Sequence, residues 1–127
     1  MNVNFDVFID KILSGEKRQT IRKTKEKWEN VKVGDKLTLY TGLHTKDCCK
    51  LGEAEVESIE NIDIYIGFIG SDVWLNGDNI NEDVCEKLAR ADGFNGVRDF
   101  LEFFHDHYGV YFKGKIIKWK NFRKTEE

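Results

Sequence analysis

Gly15-Glu16-Lys17-Arg18-Gln19-Thr20-Ile21-Arg22 joins two kinds of periodicity. Before it, Phe5, Phe8, Ile9, Ile12 and Leu13 recur at i, i+3, i+4, i+7 and i+8, the apolar stripe of a helix lying on a core. Asn4 is placed to cap that helix, and Gly15 to end it in the left-handed conformation. The chain then alternates, with Gln19 and Ile21 on one face and Arg18, Thr20 and Arg22 on the other, the period of a strand. A polar face suits a strand that lines a wet cleft, so the stretch reads as the floor of a binding site. Lys17 and Thr20 stand at odd separation, and a regular strand would set them on opposite faces. They converge only if Lys17 sits in the turn and reaches back with its long side chain. A bland reading stands beside this one: Lys suits the negative end of a helix, and Thr and Arg are ordinary on an exposed strand.

Downstream, residues 23–35 read as a Lys- and Glu-rich loop anchored by Trp28 and Val31. Lys36 to Thr41 is a strand, and Gly42 to Lys50 an irregular basic loop. Glu53 to Ile59 is a strand with Ala54 and Val56 inward, and Ile62, Ile64 and Ile66 mark another. Val73 to Asp78 runs into an Asn76-Gly77 hairpin turn. Asn81 caps a helix with Val84, Cys85, Leu88 and Ala89 inward and Gly93 at its end. Asn95 caps a second, with Val97, Phe100, Leu101 and Phe104 inward and Gly109 at its end. A last strand runs roughly from Tyr111 to Trp119, and 120–127 is expected to fray. This order is α+β: a helix, several strands, then two helices before the last strand. The short turn-linked strands suggest a small barrel or curled sheet. All 127 residues form one domain, with its core from about 5 to 119.

Composition narrows the function classes. An apolar share of 40% supports one modest core, and 34% charged residues is high without signifying disorder. No run approaches the ~20 apolar residues of a membrane span, and the N-terminus lacks the pattern of a signal peptide. Three cysteines are too few and too odd for a disulfide scaffold and fit a reducing cytoplasm. The net charge of −3 conceals an asymmetry: residues 16–50 carry +5, 51–107 carry −11 and 108–127 carry +4. If the fold joins the two basic segments, one face attracts phosphate.

The motif Gly15-x-Lys17-x-x-Thr20-x-Arg22 after a helix resembles the signature of the ASCH domain family. Val33-Gly34-Asp35, Leu39-Tyr40-Thr41-Gly42, Thr45-Lys46, Cys49-Lys50-Leu51-Gly52, Ala91-Asp92-Gly93-Phe94, Phe104, Tyr108-Gly109 and Ile117-Lys118-Trp119 extend the resemblance from about residue 5 to 119. The resemblance implies a PUA-like β-barrel that binds RNA or a modified nucleoside of cytidine type. It also implies an alternative, an amidohydrolase that deacetylates N4-acetylcytidine. The catalytic lysine and threonine of that subfamily fall on Lys17 and Thr20, and its carboxylate on Asp92, where the enzymes carry the longer glutamate. The chemistry suits these residue types. Thr20 can act as nucleophile. Lys17 can act as base if burial or a neighbouring cation such as Arg18 or Arg22 depresses its pKa, and otherwise as an oxyanion donor. Asp92 can carry protons or hold the cytidine amino group. No cofactor is implied.

Other side chains complete the expected surface. Arg18, Arg22, Lys46 and Lys50 are placed to touch phosphate or ligand. Tyr40 beside Thr41 is the best-placed aromatic to stack on a base, ahead of Trp28 and Trp74. His44, Cys48 and Cys49 are close in sequence but lack metal-ligand spacing, so no metal is expected. His105 and His107, two apart on a helix, do not share a face and read as solvated. Cys85 reads as a small core residue. Ribonuclease action by the same cleft ranks last, because no histidine pair stands out to run it. The sequence leaves oligomeric state open.

Overall fold

A computed structural model of the chain describes residues 1–126. Its elements are β1 (Asn2–Asn4), α1 (Ile9–Ser14), β2 (Gln19–Lys23), β3 (Lys36–Thr41), β4 (Cys49–Gly67), β5 (Gly70–Leu75), β6 (Asp78–Asn79), α2 (Glu82–Ala91), α3 (Val97–Tyr108) and β7 (Tyr111–Lys124). Among the described residues the architecture is α+β, with seven strands in one sheet and three α-helices. β4 is the spine. One edge pairs antiparallel with β7, and the other pairs with β3 and then with β5. β2 adds to β7, and β1 adds to β3 in parallel. Among the described residues β1 and β2 do not pair with each other, so the sheet stays open.

Two apolar cores share this sheet. Ile117 and Trp119 on β7 point to one, with Phe5, Ile12, Leu37, Leu39 and Val56. Phe112 and Ile116 point to the other, with Ile62, Ile64 and the inner faces of α2 and α3. β7 serves both by simple alternation. β4 cannot, because Ala54, Val56, Ile62 and Ile64 all have even numbers and a regular strand would put them on one face. The pairing with β7 slips between Val56 and Ser58: Val56 faces Trp119, Ser58 faces Lys118 and Ile59 faces Ile117. That bulge reverses the alternation and sends the two halves of β4 to different cores.

Several expectations are corrected. The helix does not start after Asn4: Asn2–Asn4 is a strand, and Phe8 occupies the N-cap of α1 at φ 63, ψ 25 without a side-chain cap. The two strands expected at 53–59 and 62–66 are one strand that begins at Cys49, inside the expected loop. The tail does not fray at 120, because Gly52 pairs with Lys124 and the Thr125 N–H donates to Leu51 O. Asn95 does not cap α3. Gly96 stands at the cap, and Glu86 Oε2 accepts the Val97 N–H at 2.9 Å from the neighbouring helix. The Asn81 cap is as expected, with Oδ1 accepting the Val84 N–H at 2.9 Å. So is the hairpin turn, with Asn76 and Gly77 both at positive φ.

Candidate functional site

α1 ends at Gly15, whose N–H donates to Ile12 O at φ 84. The chain turns back, and the Lys17 N–H donates to Lys11 O at 2.9 Å. Lys17 therefore lies in the turn and not in β2, which frees it from the strand's alternation. Its side chain crosses to the end of α2. There the Nζ donates to the Asp92 carbonyl oxygen and stands 3.3 Å from Asp92 Oδ1. Lys11 does the same one residue on, donating to Gly93 O at 2.6 Å. Two lysines thus serve carbonyls at the negative end of α2, a favourable placement for cations.

The pair is deeply enclosed, with Lys17 4% and Asp92 6% exposed. Gln19, on the inward face of β2, donates from Nε2 to Asp92 Oδ1 at 3.2 Å. Burial pushes the Lys17 ammonium below its ordinary pKa, and Arg22 and Lys11 push the same way against the attraction of Asp92. Burial likewise raises the Asp92 carboxyl, opposed by Lys17, Gln19 and Arg22. Both groups are thus biased toward their neutral forms while their contact favours the ions.

Thr20 is also buried, at 4% exposure. Its Oγ1 accepts from Arg22 Nε at 2.9 Å, and Arg22 also donates to Asn4 O at 2.6 Å. The guanidinium lies over the rings of Phe5 and Trp28, 5.1 and 5.7 Å from their centroids. With one lone pair accepting from a cation, the Thr20 hydroxyl keeps its proton free to donate.

Lys17, Thr20, Arg22 and Asp92 line a single cavity of about 270 Å³. Its walls are aromatic: Phe5 and Phe8 from the β1–α1 segment, Phe94 after α2, and Phe103, Phe104 and Tyr108 from α3. Phe8 meets Phe94 edge-to-face at 5.0 Å, and its ring lies 5.4 Å from Lys17 Nζ. Gly93 makes room for it, because a Cβ there would fall 2.8 Å from that ring. His107 also lines the cavity, stacked on Phe103 at 4.0 Å. Its Nδ1 lies 2.8 Å from Phe103 O. A carbonyl oxygen only accepts, so Nδ1 bears the proton of this contact.

The other expected contacts lie elsewhere. Arg18 turns away, donating from Nε to Gly15 O at 3.0 Å, and borders a groove beside Trp119 and Lys120. Lys50 pairs with Glu53 at 3.1 Å, and Lys46 is exposed on its loop. Tyr40 and Thr41 end β3 half-buried, and neither borders the cavity. Among the described residues no group of three or more His, Cys, Asp or Glu converges to hold a metal ion. No helix there is long and apolar enough to cross a membrane. The sequence reading missed Gln19, which it assigned only to a face, together with Phe103, Tyr108 and His107. A polar residue on the inward face of a strand was the available signal for Gln19. The chain was compared with protein-family models, curated proteins and solved structures, and none of them matches it.

Proposed function

We propose that this chain is an ASCH-type domain on a PUA-like fold, and that its cavity receives a cytidine-type nucleoside, free or unstacked from RNA. The observation that carries the reading is the buried Lys17–Asp92 pair at the base of an aromatic-walled cavity of about 270 Å³. Flat apolar walls suit a base ring. A carboxylate beside cationic donors suits a base edge that offers an amino group next to a carbonyl. A cavity this small suits one nucleoside and leaves the rest of an RNA chain outside.

A second reading is favoured by a separate observation: Lys17, Thr20 and Asp92 border the same cavity. In that reading Thr20 Oγ attacks the acetyl carbon of N4-acetylcytidine. The Lys17–Asp92 pair accepts the threonine proton and returns it to the departing exocyclic nitrogen. Water then hydrolyses the acyl-threonine to acetate.

The test is incubation with N4-acetylcytidine, following cytidine release, alongside equilibrium binding of cytidine. Release abolished in both Lys17→Ala and Thr20→Ala, with folding retained, is the expected result for the enzyme. Saturable binding without release leaves recognition alone. A folded protein that neither binds nor releases cytidine contradicts both readings.

A further inference from the structure

Cys48 and Cys49 are adjacent in sequence and both exposed, whereas Cys85 is buried in the core on α2. The pair closes a compact loop between β3 and β4, where Thr41 and Cys49 form the last pair of the ladder. Inside the loop the Thr45 N–H and Oγ1 donate to Gly42 O at 3.0 and 2.6 Å, and the Cys48 N–H donates to Thr45 O at 3.2 Å. The loop is fastened to the cavity. The Leu43 N–H donates to Asn4 Oδ1 at 2.9 Å, Asn4 O accepts from Arg22, and Arg22 donates to Thr20. Asn4, Arg22 and Thr20 all line that cavity.

Two exposed thiols on neighbouring residues can react as a unit. The thiolate of one attacks a small disulfide such as glutathione disulfide, and one glutathione leaves as its thiolate. The neighbouring thiolate attacks the mixed disulfide and displaces the second glutathione. The cysteine pair thereby loses two electrons and two protons, and glutathione disulfide gains them as two thiols. Geometry decides what the product does. Neighbouring Cα atoms stand about 3.8 Å apart across a trans peptide, closer than the roughly 4.4–6.8 Å of ordinary disulfides. Successive side chains along extended backbone also point to opposite faces. The bridge therefore forms only if the backbone turns at Cys49, which takes that residue from its place opposite Thr41. A bridge so strained is readily reduced again, and strained or exposed bridges belong to the labile, regulatory kind. We propose that Cys48 and Cys49 form a reversible redox modification site. Its oxidation by a small disulfide opens the 42–49 loop and releases Asn4 at the edge of the cavity.

Incubation of the full chain with glutathione disulfide, then alkylation in denaturant and peptide mass spectrometry, tests the chemistry. The peptide holding Cys48 and Cys49 should lose two hydrogens and take no alkyl group. Cys85 should be alkylated, and dithiothreitol should reverse the change. Cys48→Ser and Cys49→Ser should each stop at a glutathione adduct. Hydrogen exchange tests the coupling. The Leu43 amide should exchange several-fold faster in the oxidised wild type, while Leu39, buried in β3, is unchanged. Cys48→Ser/Cys49→Ser, which cannot be bridged, should exchange at the reduced wild-type rate under the same treatment. A pair that stays reduced, stops at one glutathione adduct or bridges two chains overturns the proposal. A bridge that leaves Leu43 exchange unchanged overturns the release of Asn4.

Discussion

Lys17 shows what a buried ion pair does to a single residue's energetics. Its depressed pKa means that the folded chain binds fewer protons than the unfolded chain just below the ordinary value of 10.5. The stability tied to Lys17 is therefore present above that value and is lost as pH falls through its folded pKa. Asp92 behaves oppositely. Its raised pKa gives stability below the ordinary 3.8 that is lost as pH rises through the folded value. In Asp92→Asn the lysine keeps its burial and loses its counter-charge, at a cost of about 3–5 kcal/mol. Denaturant unfolding between pH 6 and 10 should show the variant gaining stability with pH more steeply than the wild type. Replacing both partners, as Lys17→Met/Asp92→Leu, should restore most of the loss, because a buried pair is often no better than an apolar one. A parallel pH dependence in wild type and variant would show that Asp92 does not hold the lysine's charge. The sequence made part of this legible. The odd spacing of Lys17 and Thr20 required a turn at Lys17, and Gly15 supplies one. Nothing local in the sequence could bring Asp92 to them, because that contact spans 75 residues and depends on where α2 ends.

At the scale of elements, the legible parts had strong local signals. Lys36–Thr41 matches its strand, Asn76-Gly77 its turn, and Asn81 its cap. β1 escaped because three residues with only Val3 buried carry too little period to read. β4 was divided in two because its bulge breaks the alternation in mid-strand, and a break in period resembles a loop from sequence alone. The bulge makes a sharp prediction. Deleting Glu57 removes the extra residue and leaves a regular ladder, in which Val56 and Ile62 still fall on opposite faces, as the two cores require. Deleting Glu57 and Ser58 together would instead turn Ile62 and Ile64 away from the core they share with α2 and α3. The double deletion should abolish the cooperative thermal transition seen by circular dichroism, whereas the single deletion should keep it. A cooperative transition in the double deletion would mean that the register can shift without cost.

At the scale of the whole molecule, the sheet does to charge what the sequence alone left open. Arg22 of β2 pairs with Lys115 of β7, Gln19 with Lys118, and Lys23 with Gly114. The basic segments 16–50 and 108–127 therefore share one stretch of sheet, and α2 and α3 carry acidic residues elsewhere. Lys23 and Lys113 are exposed there, and the Thr24 N–H donates to Lys113 O at 3.2 Å, which holds the two backbones together. If RNA threads its backbone along this face while one base enters the cavity, two energies act on one ligand. Only the backbone contacts release counterions, so they alone depend steeply on salt. Binding of a single-stranded RNA should thus weaken linearly in log–log form as salt rises, whereas binding of free cytidine should hardly change. Lys23→Glu/Lys113→Glu should weaken RNA and make its salt slope shallower by about 0.7 per contact removed, with cytidine affinity untouched. Titrations of both ligands at several salt concentrations separate the contributions. An equal loss for RNA and nucleoside would show that the charge reversal damaged the cavity. An unchanged RNA slope would place the backbone on another face, and the cavity would then have to recognise its ligand without help from the basic strands.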